Sequence, residues 1–192
     1  MPWGYWLPRL VRGVDIRTLG SGNLGATNVW RTLGFKLGLA VALLDIAKGA
    51  AAVLLARWFG SDLIGVLAGV AAMAGHWRPL FVGFARGGKI VATTGGVGLA
   101  LAPLATLSGA GVWIAVFLLT RYASIASMAA AAVLPLFALA FQASWPVVAF
   151  TAGAALAIVV LHRANIARLV AGTENRFELR RPRGRPKPEA SL

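Results

Sequence analysis

Between Leu37 and Leu161 the sequence runs through six apolar stretches joined by short connections, and this pattern constrains the fold more than any single motif. Hydrocarbon holds no water to satisfy backbone N–H and C=O groups, so such a chain has to be helical wherever it meets lipid. A crossing needs roughly 17–25 apolar residues. By that measure the spans are Leu37 to Phe59, Leu63 to Trp77, Val91 to Leu107, Gly111 to Leu119, Ile125 to Phe141 and Trp145 to Leu161. The second and fourth are short, which predicts that their ends extend into the neighbouring connections. With 58% hydrophobic and 13% charged residues, the 192-residue chain lacks the polar surface that a water-soluble domain needs. Mean hydropathy is +0.75. The opening "PWGYWLPRL" carries interfacial aromatics but is too short to span, and reads as the tail of a seventh helix. The expected fold is therefore an all-α, polytopic integral membrane protein with six full transmembrane helices plus the remnant of an N-terminal seventh. One domain is expected over residues 1–177, followed by a basic Pro/Arg-rich tail at 178–192 that reads as disordered.

Charge sets the expected orientation, because Lys and Arg collect on the cytoplasmic side of short loops. Arg9, Arg12, Arg17, Arg31 and Lys36 precede the first span, Arg78, Arg86 and Lys89 follow the second, Arg121 follows the fourth, and a strongly basic tail follows the sixth. The alternate connections hold Arg57 with Asp62, then the uncharged "APLATLSGAG", then "QASW". The basic loops and C-terminus are thus expected in the cytoplasm, and every glycine-rich or histidine-bearing stretch lies on that face. The net charge of +13 suits an anionic membrane surface and anionic substrates better than nucleic acid. The chain has no cysteine, which excludes disulfides and thiolate metal sites, and its two histidines argue against a histidine metal centre. No cleavable signal peptide is visible.

Four polar stretches carry candidate chemistry. In "GSGNLGATNVWR" (residues 20–31) the glycines, Gly22 among them, allow backbone amides to converge on an anion, with Ser21, Asn23 and Asn28 adding side-chain hydrogen bonds and Arg31 a two-point grip on phosphate. A flexible turn with an asparagine cap explains this loop equally well. In "FARGGKIVATTGG" (84–96), Gly87, Gly88 and Lys89 at a helix start make an anion site, with Thr93 one turn on; an interfacial turn with a snorkelling lysine is the competing reading. In "TRYASIAS" (120–127), Arg121, Ser124 and Ser127 share a helical face, as a topological arginine and helix-packing serines also would. In "HRANIARLVAGTEN" (162–175), His162 and Asn165 share a face, with Glu174 a rare carboxylate nearby; His162 alone also fits an interfacial anchor. Within the spans, Asp45 and Lys48 stand at i and i+3 and are expected to neutralise each other, with Lys48 an outlying site candidate. His76 is expected to be buried and satisfied by backbone.

Taken together and in this order, "GSGNLGATNVWRTLG", "LDIAKG", "GHWRPLF" with "GGKIVAT", "TRYASIAS" and "HRANIARLVAGTEN" resemble the bacterial acyl-phosphate:glycerol-3-phosphate acyltransferase family of the inner membrane. The resemblance covers residues 1 to about 177. It implies a seven-helix membrane enzyme that moves a fatty acyl group from acyl phosphate to the sn-1 hydroxyl of glycerol 3-phosphate, giving lysophosphatidic acid and phosphate, with no cofactor and no acyl-CoA. It further implies roles. Ser21 and the amides beside it hold acyl phosphate, Arg31 and Lys89 neutralise it, Gly87 and Gly88 cradle a phosphate through their amides, and His162 with Asn165 orients glycerol 3-phosphate. A monomer in the inner membrane is expected. Where the family reads Gly-Gly-Lys-Gly this chain has Ile90, which a positive φ would strain. The family's first helix has no counterpart upstream of Pro2, which reads as a start assigned too late. A small anion transporter and an inactive truncated relative are the alternatives; a transporter would place its polar residues near the membrane midplane.

Overall fold

The apolar stretches become helices, the third of them broken at Ala102. In the computed structural model, which describes residues 1–177, the helices are α1 (Trp3–Arg12), α2 (Ala26–Leu33), α3 (Phe35–Arg57), α4 (Asp62–Trp77), α5 (Val91–Leu101), α6 (Pro103–Thr120), α7 (Ala123–Ala140), α8 (Trp145–Leu161) and α9 (Arg163–Val170). No strand occurs among the described residues. The expectation of a disordered tail at 178–192 lies outside them.

Among the described residues, four helical segments are long and apolar enough to cross a membrane: Phe35–Arg57, Asp62–Val82, Pro103–Thr120 and Ala123–Ala140. A fifth is obtained if α8 and α9, bent by 53° to each other, count as one. The expected count of six full-length spans is corrected at the third. Pro103 has no N–H to donate and disfavours helical backbone at the residue before it, so Ala102 sits at φ −145°, ψ 74° and ends α5 after 11 residues. Eleven residues rise about 16 Å, short of a hydrocarbon core of about 30 Å. The same proline opens α6, where its missing donor costs nothing. Most of "APLATLSGAG", read as a connection, is therefore the first half of α6.

Small residues let these helices approach closely. A Cβ on Gly96 would come within 1.9 Å of the Ile46 carbonyl oxygen, and one on Gly49 within 2.4 Å of the Thr93 carbonyl oxygen, so α3 and α5 touch backbone to backbone. The main apolar core joins α3, α4, α5, α7 and α8 through Val53, Met73, Val97, Leu134, Phe150 and Ile158. A second gathers Ile16, Leu24, Val29 and Val41 beneath the N-terminal loop.

Polar bonds divide the bundle into two ends. At one, Arg57 binds Asp62 (3.2 Å) and donates to the Ala100 carbonyl (3.0 Å), while Ser144 donates to Asp62 (2.6 Å). This joins the end of α3, the start of α4, the end of α5 and the start of α8. At the other, Asn23 donates to the Gly87 carbonyl (3.3 Å) and Ser124 donates to Glu174 (3.0 Å). The short α5 thus starts at one end and finishes at the other.

Candidate active site

A cavity of about 720 Å³ opens at the second end, with a polar rim and an apolar interior. The rim includes Ser21, Arg31, Lys89, His162, Asn165 and Glu174. The interior is walled by residues such as Gly109, Trp113, Ile114, Leu134 and Ile158.

The rim is organised around Glu174. Its Oε1 accepts from Asn165 Nδ2 (2.6 Å) and Ser124 Oγ (3.0 Å), and its Oε2 accepts from Arg168 Nε (2.7 Å). Burial pushes this carboxyl up, but the three hydrogen bonds and the guanidinium charge outweigh it, leaving the carboxyl below its ordinary range. Asn165 then donates to the carboxylate and accepts at Oδ1 from Lys89 Nζ. Burial lowers the Lys89 ammonium, the charge of Glu174 opposes that, and Arg168, Arg86 and Arg31 add to it, bringing Lys89 to about 8. Desolvation also lowers Arg31, whose guanidinium lies 4.9 Å from the centre of the Phe177 ring and whose buried Nε has no partner among the described residues.

His162 sits at the break between α8 and α9, 3% exposed. Its Nδ1 lies 2.8 Å from the Ile158 carbonyl, which can only accept, so Nδ1 carries a proton. In the neutral ring Nε2 is then the acceptor, and it makes no hydrogen bond among the described residues.

The segment holding Glu174 reaches the rim by folding back over the α6–α7 turn. Phe177 N–H donates to the Arg121 carbonyl (2.9 Å) and Arg176 Nε to the Thr120 carbonyl (3.2 Å). Arg121, in left-handed backbone at φ 63°, contributes that carbonyl while its side chain stays exposed and off the cavity wall.

Several expected binding groups prove to be scaffold. The amides of Gly87 and Gly88 donate to the carbonyls of Trp77 (2.9 Å) and His76 (3.2 Å) at the end of α4, so they are not free to cradle a phosphate. Gly22 donates to the Leu19 carbonyl, with φ +67° that glycine tolerates, and does not line the cavity. All the hydrogen-bonding arms of Asn28 are engaged locally: Oδ1 accepts from the Ser21 N–H (3.0 Å), and Nδ2 donates to Leu19 O and Asn23 O (both 3.0 Å). Asn23 closes a turn onto the Gly25 N–H (2.8 Å) as well as reaching Gly87. Ser127 donates to the Ala123 carbonyl and accepts from Trp113 Nε1, as a helix-packing serine does. Thr93 is fully buried away from the cavity, which Thr94 lines instead. Asp45 and Lys48 pair as expected, but His76 is satisfied by Lys48 Nζ at 2.6 Å from its Nδ1, not by backbone. Ile90 does take the left-handed region, at φ 60°.

One site residue escaped the sequence reading. Arg168 lies three residues after Asn165 on the same face of α9, and that spacing was the available signal. No group of three or more His, Cys, Asp or Glu that would hold a metal occurs among the described residues.

A family profile described as Glycerol-3-phosphate acyltransferase matches residues 1–172. The glycerol-3-phosphate acyltransferase of Desulforudis audaxviator (strain MP104C) is 50% identical over 181 residues, covering 94% of this chain and 91% of that protein. That of Roseiflexus sp. (strain RS-1) is 52% identical over 171 residues, covering 86% and 84%. The crystal structure of PlsY (YgiH), an integral membrane glycerol 3-phosphate acyltransferase, in its glycerol 3-phosphate form superposes with a TM-score of 0.84 at 38% identity, covering 92% of this chain and 90% of that one. Its lysophosphatidic acid form gives 0.84 at 39%, covering 93% and 89%. With the family's profile matched along nearly its whole described length and half its residues shared with a relative, the chain belongs to the glycerol-3-phosphate acyltransferase family.

Proposed function

We propose that this protein transfers a fatty acyl group from acyl phosphate to the sn-1 hydroxyl of glycerol 3-phosphate, yielding lysophosphatidic acid and inorganic phosphate. The charge balance of the rim carries this reading. Arg31, Lys89 and Arg168 surround Glu174 at the rim, and Asp45, the other carboxylate among the described residues lining the cavity, is paired with Lys48, so three cations against one anion leave two positive charges uncompensated at the rim. That surplus suits a phosphate dianion, and the apolar interior next to it suits a hydrocarbon chain.

The roles follow from what each group has free. Arg31 keeps an unbonded, desolvated Nε and a planar fork, and it grips a phosphate with Lys89 beside it. Ser21, exposed at the rim, holds the acyl phosphate with its hydroxyl. Asn165 and Ser124 are held by Glu174 and orient glycerol 3-phosphate. His162 offers Nε2 to the attacking hydroxyl. The hydroxyl oxygen bonds to the acyl carbon, the bond from that carbon to the phosphate oxygen breaks, and the hydroxyl proton passes to Nε2. The departing phosphate leaves with the bond pair into the field of Arg31 and Lys89. An acyl phosphate is already a mixed anhydride, so the transfer asks for no coenzyme A, metal or cysteine nucleophile.

The proposed topology has six passages through the bundle, with α5 the short one, since its last turn takes part in one polar cluster through Ala100 and the loop leading into it takes part in the other through Gly87. Residues 1–177 act as one domain, as a monomer in the bacterial inner membrane. The rim faces the cytoplasm, on the side where Arg78, Arg86, Lys89 and Arg121 collect.

Purified protein supplied with acyl phosphate and glycerol 3-phosphate is expected to form lysophosphatidic acid, and acyl-CoA to fail as donor. No product alongside an active relative refutes the enzyme reading. Equal turnover of acyl-CoA refutes the donor.

A further inference from the structure

A second buried ionisable cluster, whose Asp45 and His76 line the wall of the same cavity, takes no part in the chemistry above. Asp45 and Lys48 stand on α3, and His76 on the last turn of α4. Asp45 is 1% and His76 4% exposed. Lys48 Nζ binds the Asp45 carboxylate and approaches His76 Nδ1 to 2.6 Å, with Asp45 Oδ1 itself 3.5 Å from Nδ1. An ammonium only donates, so Nδ1 accepts and the imidazole proton sits on Nε2. Three charged or polar groups at this depth are costly, and a packed apolar trio would hold two helices together as well. Cohesion alone therefore does not account for them.

The other face of the imidazole meets the loop that carries Lys89. A Cβ on Gly88 would fall 1.9 Å from His76 Nε2, and one on Gly87 2.1 Å from the His76 carbonyl oxygen. That carbonyl also accepts the Gly88 amide (3.2 Å), while the Gly87 carbonyl accepts from Asn23 (3.3 Å). Ring and backbone of His76 together form the floor on which Gly87 and Gly88 rest, and Lys89 is the next residue.

We propose that His76, with its ring fixed by Lys48 and Asp45, is a positioning residue that seats the Gly87–Gly88 backbone and so places the Lys89 ammonium against Asn165 in the phosphate site. The inference rests on the reading of Lys89 as a phosphate-holding cation.

The test uses the full-length protein, with thermal midpoint recorded for every variant. Wild-type kcat/KM for glycerol 3-phosphate is expected to fall as pH rises through about 8, where Lys89 loses its proton. In His76→Ala, kcat/KM drops by roughly tenfold or more and the falling limb moves to higher pH, because a displaced Lys89 regains water. Gly88→Ala costs at least about tenfold in the wild type but under about twofold in the His76→Ala background, where its Cβ finds room. His76→Gln, which keeps an acceptor for Lys48, restores part of the rate, and it is the variant to assay if His76→Ala does not fold. A rate loss with the limb unmoved and with Gly88→Ala equally costly in both backgrounds overturns the positioning role. A wild-type profile flat across pH 8, together with a fully active Lys89→Ala, instead overturns the Lys89 reading on which it stands.

Discussion

Asn28, in the first turn of α2, and Asn165, at the start of α9, both face the cavity, yet they work differently. Asn28 closes its own loop: its bonds reach Leu19, Ser21 and Asn23, all within nine residues. Asn165 bridges elements far apart in sequence, accepting from Lys89 across 76 residues and donating to Glu174. The first asparagine shapes a loop, and the second joins a cation to the carboxylate that tunes it. Residue type and a shared cavity do not separate scaffold from site; the partners do.

The comparison is sharpened most by His162, which has an unused nitrogen where Asn28 has none. His162→Ala is expected to lower kcat by about 100-fold with little change in thermal midpoint, as for loss of a proton acceptor. Lys89→Ala follows, with a loss of at least about tenfold, or roughly 1.4 kcal/mol, and with the basic limb near pH 8 abolished. Asn165→Ala also loses about tenfold at nearly unchanged stability. Asn28→Ala is expected to do the opposite. It strands the Ser21 N–H and the Asn23 carbonyl, the Leu19 carbonyl keeping the Gly22 N–H, and costs about 2 kcal/mol of stability, while activity of the folded fraction stays within about threefold. If Asn28→Ala loses rate without stability, the division between the two regions fails. Glu174→Gln removes the charge that holds Lys89 up, so the limb in kcat/KM should shift to lower pH; an upward shift contradicts the network.

How much of this was legible beforehand depended on whether the deciding contacts are local. The helical stretches were legible because lipid enforces hydropathy along the chain. The end of α5 was misplaced although Pro103 marks it, since "LATLSGAG" has the composition of a loop in water but, in lipid, that of a closely packed helix. Lys89, His162 and Asn165 were legible as types in a motif. The amides of Gly87 and Gly88 were misassigned because their acceptors, Trp77 and His76, lie at the end of another helix, and no local pattern reports that pairing. Arg121 was misassigned for a similar reason: it serves the site through a backbone carbonyl, which a charge pattern does not display.

The smallest effect concerns Ile90. Left-handed backbone costs a β-branched residue about 1–2 kcal/mol, but its side chain is 4% exposed within the main core, and burial of that size contributes about 2–3 kcal/mol. Ile90→Gly is thus expected to lower stability by only about 1 kcal/mol. A clear gain in thermal midpoint would mean that strain outweighs packing there.

The central claim is that the glycerol hydroxyl attacks acyl phosphate directly at the rim of this cavity. Its most direct test is rapid measurement of phosphate released from acyl phosphate by stoichiometric enzyme, with and without glycerol 3-phosphate. The account predicts release only when glycerol 3-phosphate is present, in step with lysophosphatidic acid. A burst of one phosphate per enzyme in its absence, with the acyl group retained on Ser21 or another side chain, would contradict it.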